Sequence, residues 1–208
     1  MSEQEQLPIV AEQETAPAAS PFANVDTFEN GQRMARLFAA SDLVPKEYRD
    51  SVPNIMLAFE IAHRTGASPF FVMQNIHIIQ RRPSYSAQFV IAVLNSCGRF
   101  RGGLKFEMDD PKSPRTCRAW AIEAATGDRI DGPLVSMEMA EREGWLEKPG
   151  SKWKTMPEVM LRYRAASFFG RLYAPDILLG MYSADEAREM AENATSGRLT
   201  AINEALSP

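Results

Sequence analysis

Residues 103–135 read GLKFEMDDPKSPRTCRAWAIEAATGDRIDGPLV, and this stretch decides the fold. It divides into three strand candidates, Gly103 to Met108, Arg115 to Ala124 and Arg129 to Val135. Thr126-Gly127-Asp128 supplies the turn chemistry to fold the last two into a hairpin. The acidic link Glu107-Met108-Asp109-Asp110 before Pro111 reads as a strand ending in an Asx-type turn. An antiparallel run of this kind, with helical periodicity on both sides, predicts an α+β class. The expected architecture is one core domain, a small antiparallel sheet packed with five to six helices.

Upstream, Phe28, Met34, Leu37 and Phe38 recur as one helical face that ends before Pro45. A second helix is expected from Val52-Pro53 to a stop at Gly66, and Ser68-Pro69 reads as an N-cap and first turn of a short helix reaching Gln74 or Asn75. Ile76, Ile78 and Ile79 then predict a short strand entering a tight turn at Arg81-Arg82-Pro83, followed by a helix from Ser86 to Gly98. Downstream come a short helix over Met137 to Glu143, a loop over Gly144 to Lys154, and the longest helix, Met156 to Tyr173, with the stripe Leu161, Ala165, Phe168 and Leu172. Ser183 and Glu186 form a capping box for a last helix. Residues 1–21 are expected to be a disordered acidic tail, 22–186 the core, and 187–208 a short acidic tail that is helical in part or disordered.

The 208 residues carry a formal charge of −4, yet the charge is unevenly placed. Residues 1–21 hold four acids and no base, whereas 22–182 hold 21 bases against 18 acids. No Asp or Glu occurs between Ile61 and Phe106, a stretch containing Arg64, Arg81, Arg82, Arg99, Arg101 and Lys105. A second basic segment runs from Lys148 to Arg171 and includes Lys152, Lys154, Arg162 and Arg164 with Glu158 as its one acid. This pattern points to an anionic partner. No apolar run approaches the roughly 18 residues that span a bilayer, and no secretion signal opens the chain, so a cytoplasmic protein without a membrane partner is expected. Cys97 and Cys117, with His63 and His77, do not make a disulfide framework or a zinc site.

No phosphate-binding glycine loop followed by Lys-Ser or Lys-Thr is present, and no dinucleotide fingerprint follows a strand. Nucleotide-driven chemistry is therefore not expected. Glu107, Asp109 and Asp110 leave one enzymatic alternative, a metal-dependent nuclease, and the other alternative is an interaction protein on the same scaffold that binds another protein and not DNA. Cations interleaved with aromatics favour single-stranded nucleic acid instead, since phosphates take the charge while bases stack on rings. Along the long helix, Arg164, Ser167 and Arg171 fall on one flank and Arg162 on the other. Trp120 reads as core and Trp145 as a packing anchor.

Several short motifs, in order, resemble the RecT and Redβ superfamily of phage single-strand annealing recombinases. They are Ala67-Ser68-Pro69, Met73-Gln74-Asn75-Ile76, Arg82-Pro83-Ser84 and Asn95-Ser96-Cys97-Gly98-Arg99-Phe100. Gly144-Trp145, Lys152-Trp153, Met-Pro-x-x-Met-Leu at 156–161, Arg164-Ala165 and Ala174-Pro175-Asp176 continue the series. The resemblance covers roughly 30–186. Many relatives carry Gly-Asp after the Arg-Pro-Ser turn, where this chain has Ser86-Ala87-Gln88.

The resemblance implies a non-enzymatic, ATP-independent protein that binds and anneals single-stranded DNA in phage-type recombination. It implies a homo-oligomer, ring or helical filament, in a bacterial host cell, with a phage exonuclease or host single-strand binding protein as further partners. No cofactor is required, and Mg²⁺ is compatible with the reading without being needed by it. Arg81, Arg82, Arg99, Arg101, Lys105, Lys152, Lys154, Arg162, Arg164 and Arg171 are then assigned to phosphates, and Gln74, Asn75, Tyr85 and Trp153 to the groove lining.

Overall fold

The computed structural model describes residues 20–110, 112–113, 115–192 and 194. Within them the class is α+β, as expected, with helices flanking a two-stranded and a three-stranded antiparallel sheet around one core. The acid-rich stretch 1–19 and most of the segment after 192 lie outside the described residues.

Helix α1 (Val25–Ala39) starts at a reciprocal cap. The Thr27 backbone N–H donates to Asn24 Oδ1 and the Asn24 N–H donates to Thr27 Oγ1, which satisfies two groups that the first turn leaves without partners. α1 buries Gly31, Ala35 and Ala39 against α2 (Val52–Thr65). Of the large residues expected to form its packed face, Phe38 packs 5.7 Å from the Phe59 ring, whereas Phe28 and Met34 are exposed and Leu37 is 76% exposed. Close helix approach over small residues won over burial of the longer side chains. α2 ends at Gly66 in the left-handed region, and α3 (Pro69–Asn75) begins where Ser68 Oγ accepts the Phe71 N–H.

Strands β1 (Ile76–Ile79) and β2 (Arg82–Tyr85) form a hairpin pairing Ile76 with Tyr85 and Ile79 with Arg82. The expected turn over Arg81-Arg82-Pro83 is displaced by one residue. Its two central residues are Gln80 and Arg81, at φ 47° and 65°, while Arg82 and Pro83 belong to the second strand. A two-residue connection needs positive φ at both central positions to match the strand twist, and here it is made without glycine. Pro83 is tolerated because a two-stranded ribbon consists of edges.

α4 (Ala87–Ser96), capped by Ser86, leads into β3 (Phe100–Met108), β4 (Thr116–Glu123) and β5 (Arg129–Ser136), in that order across the sheet. β3 bulges between Arg101 and Lys105, with Gly102 and Gly103 both at positive φ. The bulge aims the Leu104 N–H at Asn95 Oδ1, 2.7 Å away, and a Cβ on Gly103 would sit 2.7 Å from the same oxygen. Glycine is therefore what lets β3 dock on the end of α4.

α5 (Met137–Arg142) is short and capped by Ser136, and α6 (Pro157–Tyr173) runs through the middle of the molecule. α6 packs on β4, β5 and α4, and its buried residues Leu161, Arg164, Ala165, Ala166, Ser167, Phe169 and Gly170 leave no fully polar side. The expected stripe holds for Leu161 and Ala165, but the helix turns so that Phe169 is buried, 5.2 Å from the Phe100 ring, while Leu172 is exposed. Cys117, Ala119 and Ala121 give β4 a smooth inner face, and burial pushes the Cys117 thiol up to about 11. Trp120 points the other way. It lies half-exposed on the outer face of the sheet with Arg129 stacked 4.3 Å above it, which corrects its reading as core.

Past α6 the chain returns to the hairpin. The Tyr85 N–H donates to the Tyr182 carbonyl, and residues 184–192 are helical. The capping box is present, with the Ser183 N–H and Oγ both donating to Glu186 Oε2 and the Glu186 N–H to Ser183 Oγ. The boundary drawn at 186 thus falls inside a packed helical run. Among the described residues no helix is long and apolar enough to cross a membrane.

Candidate nucleic-acid interface

The basic residues of the sequence separate into three settings. Arg81 and Arg82, at the tip of the β1–β2 hairpin, are exposed and have no side-chain partner among the described residues. Lys105 and Lys152 are also exposed without partners. These are charges held open to solvent.

The second setting is the flank of α6. Arg164 is only 5% exposed, stacks 3.9 Å over the Trp145 ring, and donates from both terminal nitrogens to the Glu189 carboxylate. Arg171 lies 4.8 Å over Tyr182 and donates to Glu186, itself buried. Lys148 reaches Glu192 at 2.8 Å. Three carboxylates of the C-terminal helical run therefore meet three cations from α6 and the 144–154 loop. Arg162, on the opposite flank as its position on the helix predicts, pairs with Glu158 at 2.9 Å and lies near Cys117, whose thiol its charge pulls down against the larger effect of burial.

The third setting lies away from that flank. Arg99 forks onto Asp176 and also donates to the Tyr173 carbonyl. The Arg99 hydrogen bonds hold the Asp176 carboxyl below its ordinary value, and Asp176 in turn raises the guanidinium. Arg101 donates to the Ala124 carbonyl at 2.7 Å. Lys105 is paired across the sheet with Trp120, so it sits on the outer face, whereas α6 covers the inner one. Arg99, Arg101, Lys105 and Arg162 are thus not brought into the same strip as Arg164 and Arg171.

Several assigned lining residues have structural duties. Tyr85 is fully buried between Phe89 and its neighbours, with burial raising its hydroxyl well above the ordinary range, so it offers no ring to a base. Trp153 is buried 5.0 Å from Trp145, forming with Arg164 a stacked anchor for the 144–154 loop. Gln74 donates to the Leu43 carbonyl, and Asn75 donates to the Phe71 carbonyl while accepting from Ser86 Oγ. Lys154 pairs with Glu147 at 3.2 Å. Tyr85 and Trp153 are thus buried away from any groove, whereas Gln74 and Lys154 stay exposed but partnered, and local sequence does not reveal those partners.

What does converge is built around the helical run 184–192. On one side, a cleft of about 360 Å³ separates it from the hairpin and is lined by Gln80, Arg82, Pro83, Tyr182 and Met190. On the other, a cleft of about 300 Å³ is lined by Lys148, Lys152, Trp153, Arg188, Glu189 and Glu192. The hairpin tip, the 148–152 loop and the Arg164–Arg171 flank, far apart in sequence, all meet the run 184–192. Sequence reasoning found the cations and missed their acids. The usable signal was the recurrence of Glu186, Glu189 and Glu192 every third residue, which puts acids along one side of the last helix.

The acidic knot of the nuclease alternative is built into a turn. Asp109 Oδ1 accepts the Arg115 and Thr116 N–H groups, which hold its carboxyl below the ordinary value, with the Thr116 bond the larger effect. Asp110 accepts the Lys112 N–H, and Glu107 pairs with Arg129. Among the described residues no three His, Cys, Asp or Glu side chains group as a metal-ligand set. No protein-family model matches the chain, and no curated protein is similar to it.

Proposed function

We propose that the protein binds single-stranded DNA and promotes the annealing of complementary strands without ATP, as an oligomer of the RecT and Redβ kind. The observation that carries this reading is that Arg82, Lys148, Lys152, Arg164 and Arg171, from three separate parts of the chain, are gathered around the run 184–192, with Arg81 exposed beside Arg82 at the hairpin tip. Arginine forks suit phosphate oxygens, and a strip of cations tracks a backbone without reading bases. Sequence selection is then left to base pairing between strands. The buried state of Tyr85 and Trp153 shifts the weight from stacking to charge, so phosphate contacts dominate the expected affinity.

The test is labelled oligo-dT binding followed by fluorescence anisotropy across a salt series, together with the annealing rate of two complementary oligonucleotides without nucleotide. Binding that weakens steeply with salt and faster annealing are expected. Absence of binding at low salt would overturn the proposal.

A further inference from the structure

We propose that the C-terminal helical run 184–192 is a displaceable anionic strap that occupies the cationic strip in place of a phosphate backbone. The inference rests on the DNA-binding reading above and names the regulation of that same site. Glu186, Glu189 and Glu192 stand about 4.5 Å apart in axial rise, one carboxylate every three residues. Each meets a cation from a different point of the strip: Arg171, Arg164 and Lys148. A guanidinium fork recognises a carboxylate and a phosphate through the same geometry, so the strap and a nucleic-acid backbone compete for the same groups.

The strap also reaches the other border of the strip. The Gln80 side-chain amide donates to the Ala191 carbonyl at 3.4 Å, and Met190 and Ala187 line the cleft beside Arg82 and Pro83. The run therefore lies between the open charges of the hairpin tip and the neutralised charges of α6. A strand crossing from one to the other takes the place the strap now fills.

Attachment is uneven along the strap. At its start Glu186 is buried and locked in the capping box with Ser183, which also bridges to Tyr85. At its far end the Glu192 side chain is 56% exposed and its partner Lys148 30% exposed, so that pair is screened by water and salt. Release proceeds from residue 192 backward. Loss of Glu192 leaves Lys148 with only Glu189, 4.0 Å away, loss of Glu189 then frees Lys148 and Arg164 together, and the Ser183–Glu186 cap remains as the hinge.

The experiment compares the wild-type protein with the charge-neutral, isosteric variant Glu189→Gln/Glu192→Gln. Labelled oligo-dT and inorganic polyphosphate are the two probes, read by anisotropy and by competition. The variant is expected to bind both about tenfold more tightly, with a log–log salt slope for oligo-dT steeper by about 1.4, for two freed cations. Equal affinities of wild type and variant for both probes overturn the strap. Tighter polyphosphate binding by the variant, with no oligo-dT binding by either protein, keeps the strap and overturns the DNA reading. Oligo-dT binding that is identical in the two proteins does the reverse. In case the substitutions disturb folding, hydrogen exchange on the wild-type protein gives a second measurement. The amides of 187–192 are expected to lose protection when oligo-dT is added, and unchanged or increased protection overturns the proposal.

Discussion

Arg81 and Arg82 at the hairpin tip and Arg164 and Arg171 on α6 are the same residue type, drawn from the two basic segments of one chain. Their circumstances differ. The first pair is exposed, without side-chain partners, with Arg81 in the left-handed turn and Arg82 opening β2; the second stacks on aromatic rings and is bonded to carboxylates 15 and 25 residues further on. Counting cations therefore measures how much positive charge a chain has and not how much it offers. What decides is whether an acid from elsewhere is brought within reach. On α6 the acid is supplied by the strap, while at the hairpin tip no described side chain supplies one.

The largest effect expected from this contrast is on stability. Arg164→Ala removes one member of a buried ion pair and the plate between Trp145 and Glu189, leaving a largely buried carboxylate with only the Lys148 ammonium, 4.0 Å away, as counter-charge. A loss of about 3–5 kcal/mol is expected, read as a fall in the urea midpoint. Arg164→Lys should recover only part of it, because an ammonium neither forks onto both oxygens nor stacks flat. A stability change below about 1 kcal/mol in Arg164→Ala would erase the distinction between the two regions.

Arg171→Ala should follow. Its own side chain is 43% exposed, but its partner Glu186 is buried and retains only Ser183. A loss of about 1–3 kcal/mol is expected, since a buried charged acceptor is left short of one strong donor. Thermal unfolding at pH 7 measures it.

At the tip the order of effects reverses. Arg81→Ala with Arg82→Ala should leave stability within about 0.5 kcal/mol, since both side chains are exposed and alanine keeps the Cβ, so the left-handed strain at position 81 is unchanged. The same pair of changes should reduce the log–log salt slope for oligo-dT by about 1.4 and weaken binding at low salt. If both quantities stay at wild-type values, the hairpin is outside the interface and the strip shrinks to α6 and the 148–152 loop.

The elements were largely legible because their signals are local. Ser68, Ser86 and Ser136 cap α3, α4 and α5, Gly66 ends α2, and the Ser183 and Glu186 box opens the last helical run, each within three or four residues of the end it marks. β2 was hidden because Arg82-Pro83-Ser84 carries turn residues, and only pairing with Ile76–Ile79 makes it a strand. The face of α1 was misjudged for a related reason. Gly31, Ala35 and Ala39 are weak hydrophobic signals, yet they allow α2 to come close. The site was less legible still, since the availability of Arg164, Trp153 and Tyr85 depends on contacts with Glu189, Trp145 and Phe89 that no local window contains.

The smallest effect expected, and the one that separates charge from geometry at the tip, belongs to Gln80. A side-chain-bearing residue in the left-handed region costs roughly 1–2 kcal/mol, which glycine does not incur. Gln80→Gly relieves that strain at φ 47° and loses a single long bond to Ala191, while the added freedom of glycine in the unfolded chain takes back about 0.4–1 kcal/mol. The net expectation is a gain of about 0.5 kcal/mol in the urea midpoint, with the salt slope for oligo-dT unchanged. Arg81→Gly relieves similar strain at φ 65° but removes a cation, so its slope should fall by about 0.7. Equal losses of affinity in the two glycine variants would mean that the tip acts through the shape of its turn. A loss confined to Arg81→Gly would mean that the turn exists to hold a charge clear of every acid among the described residues.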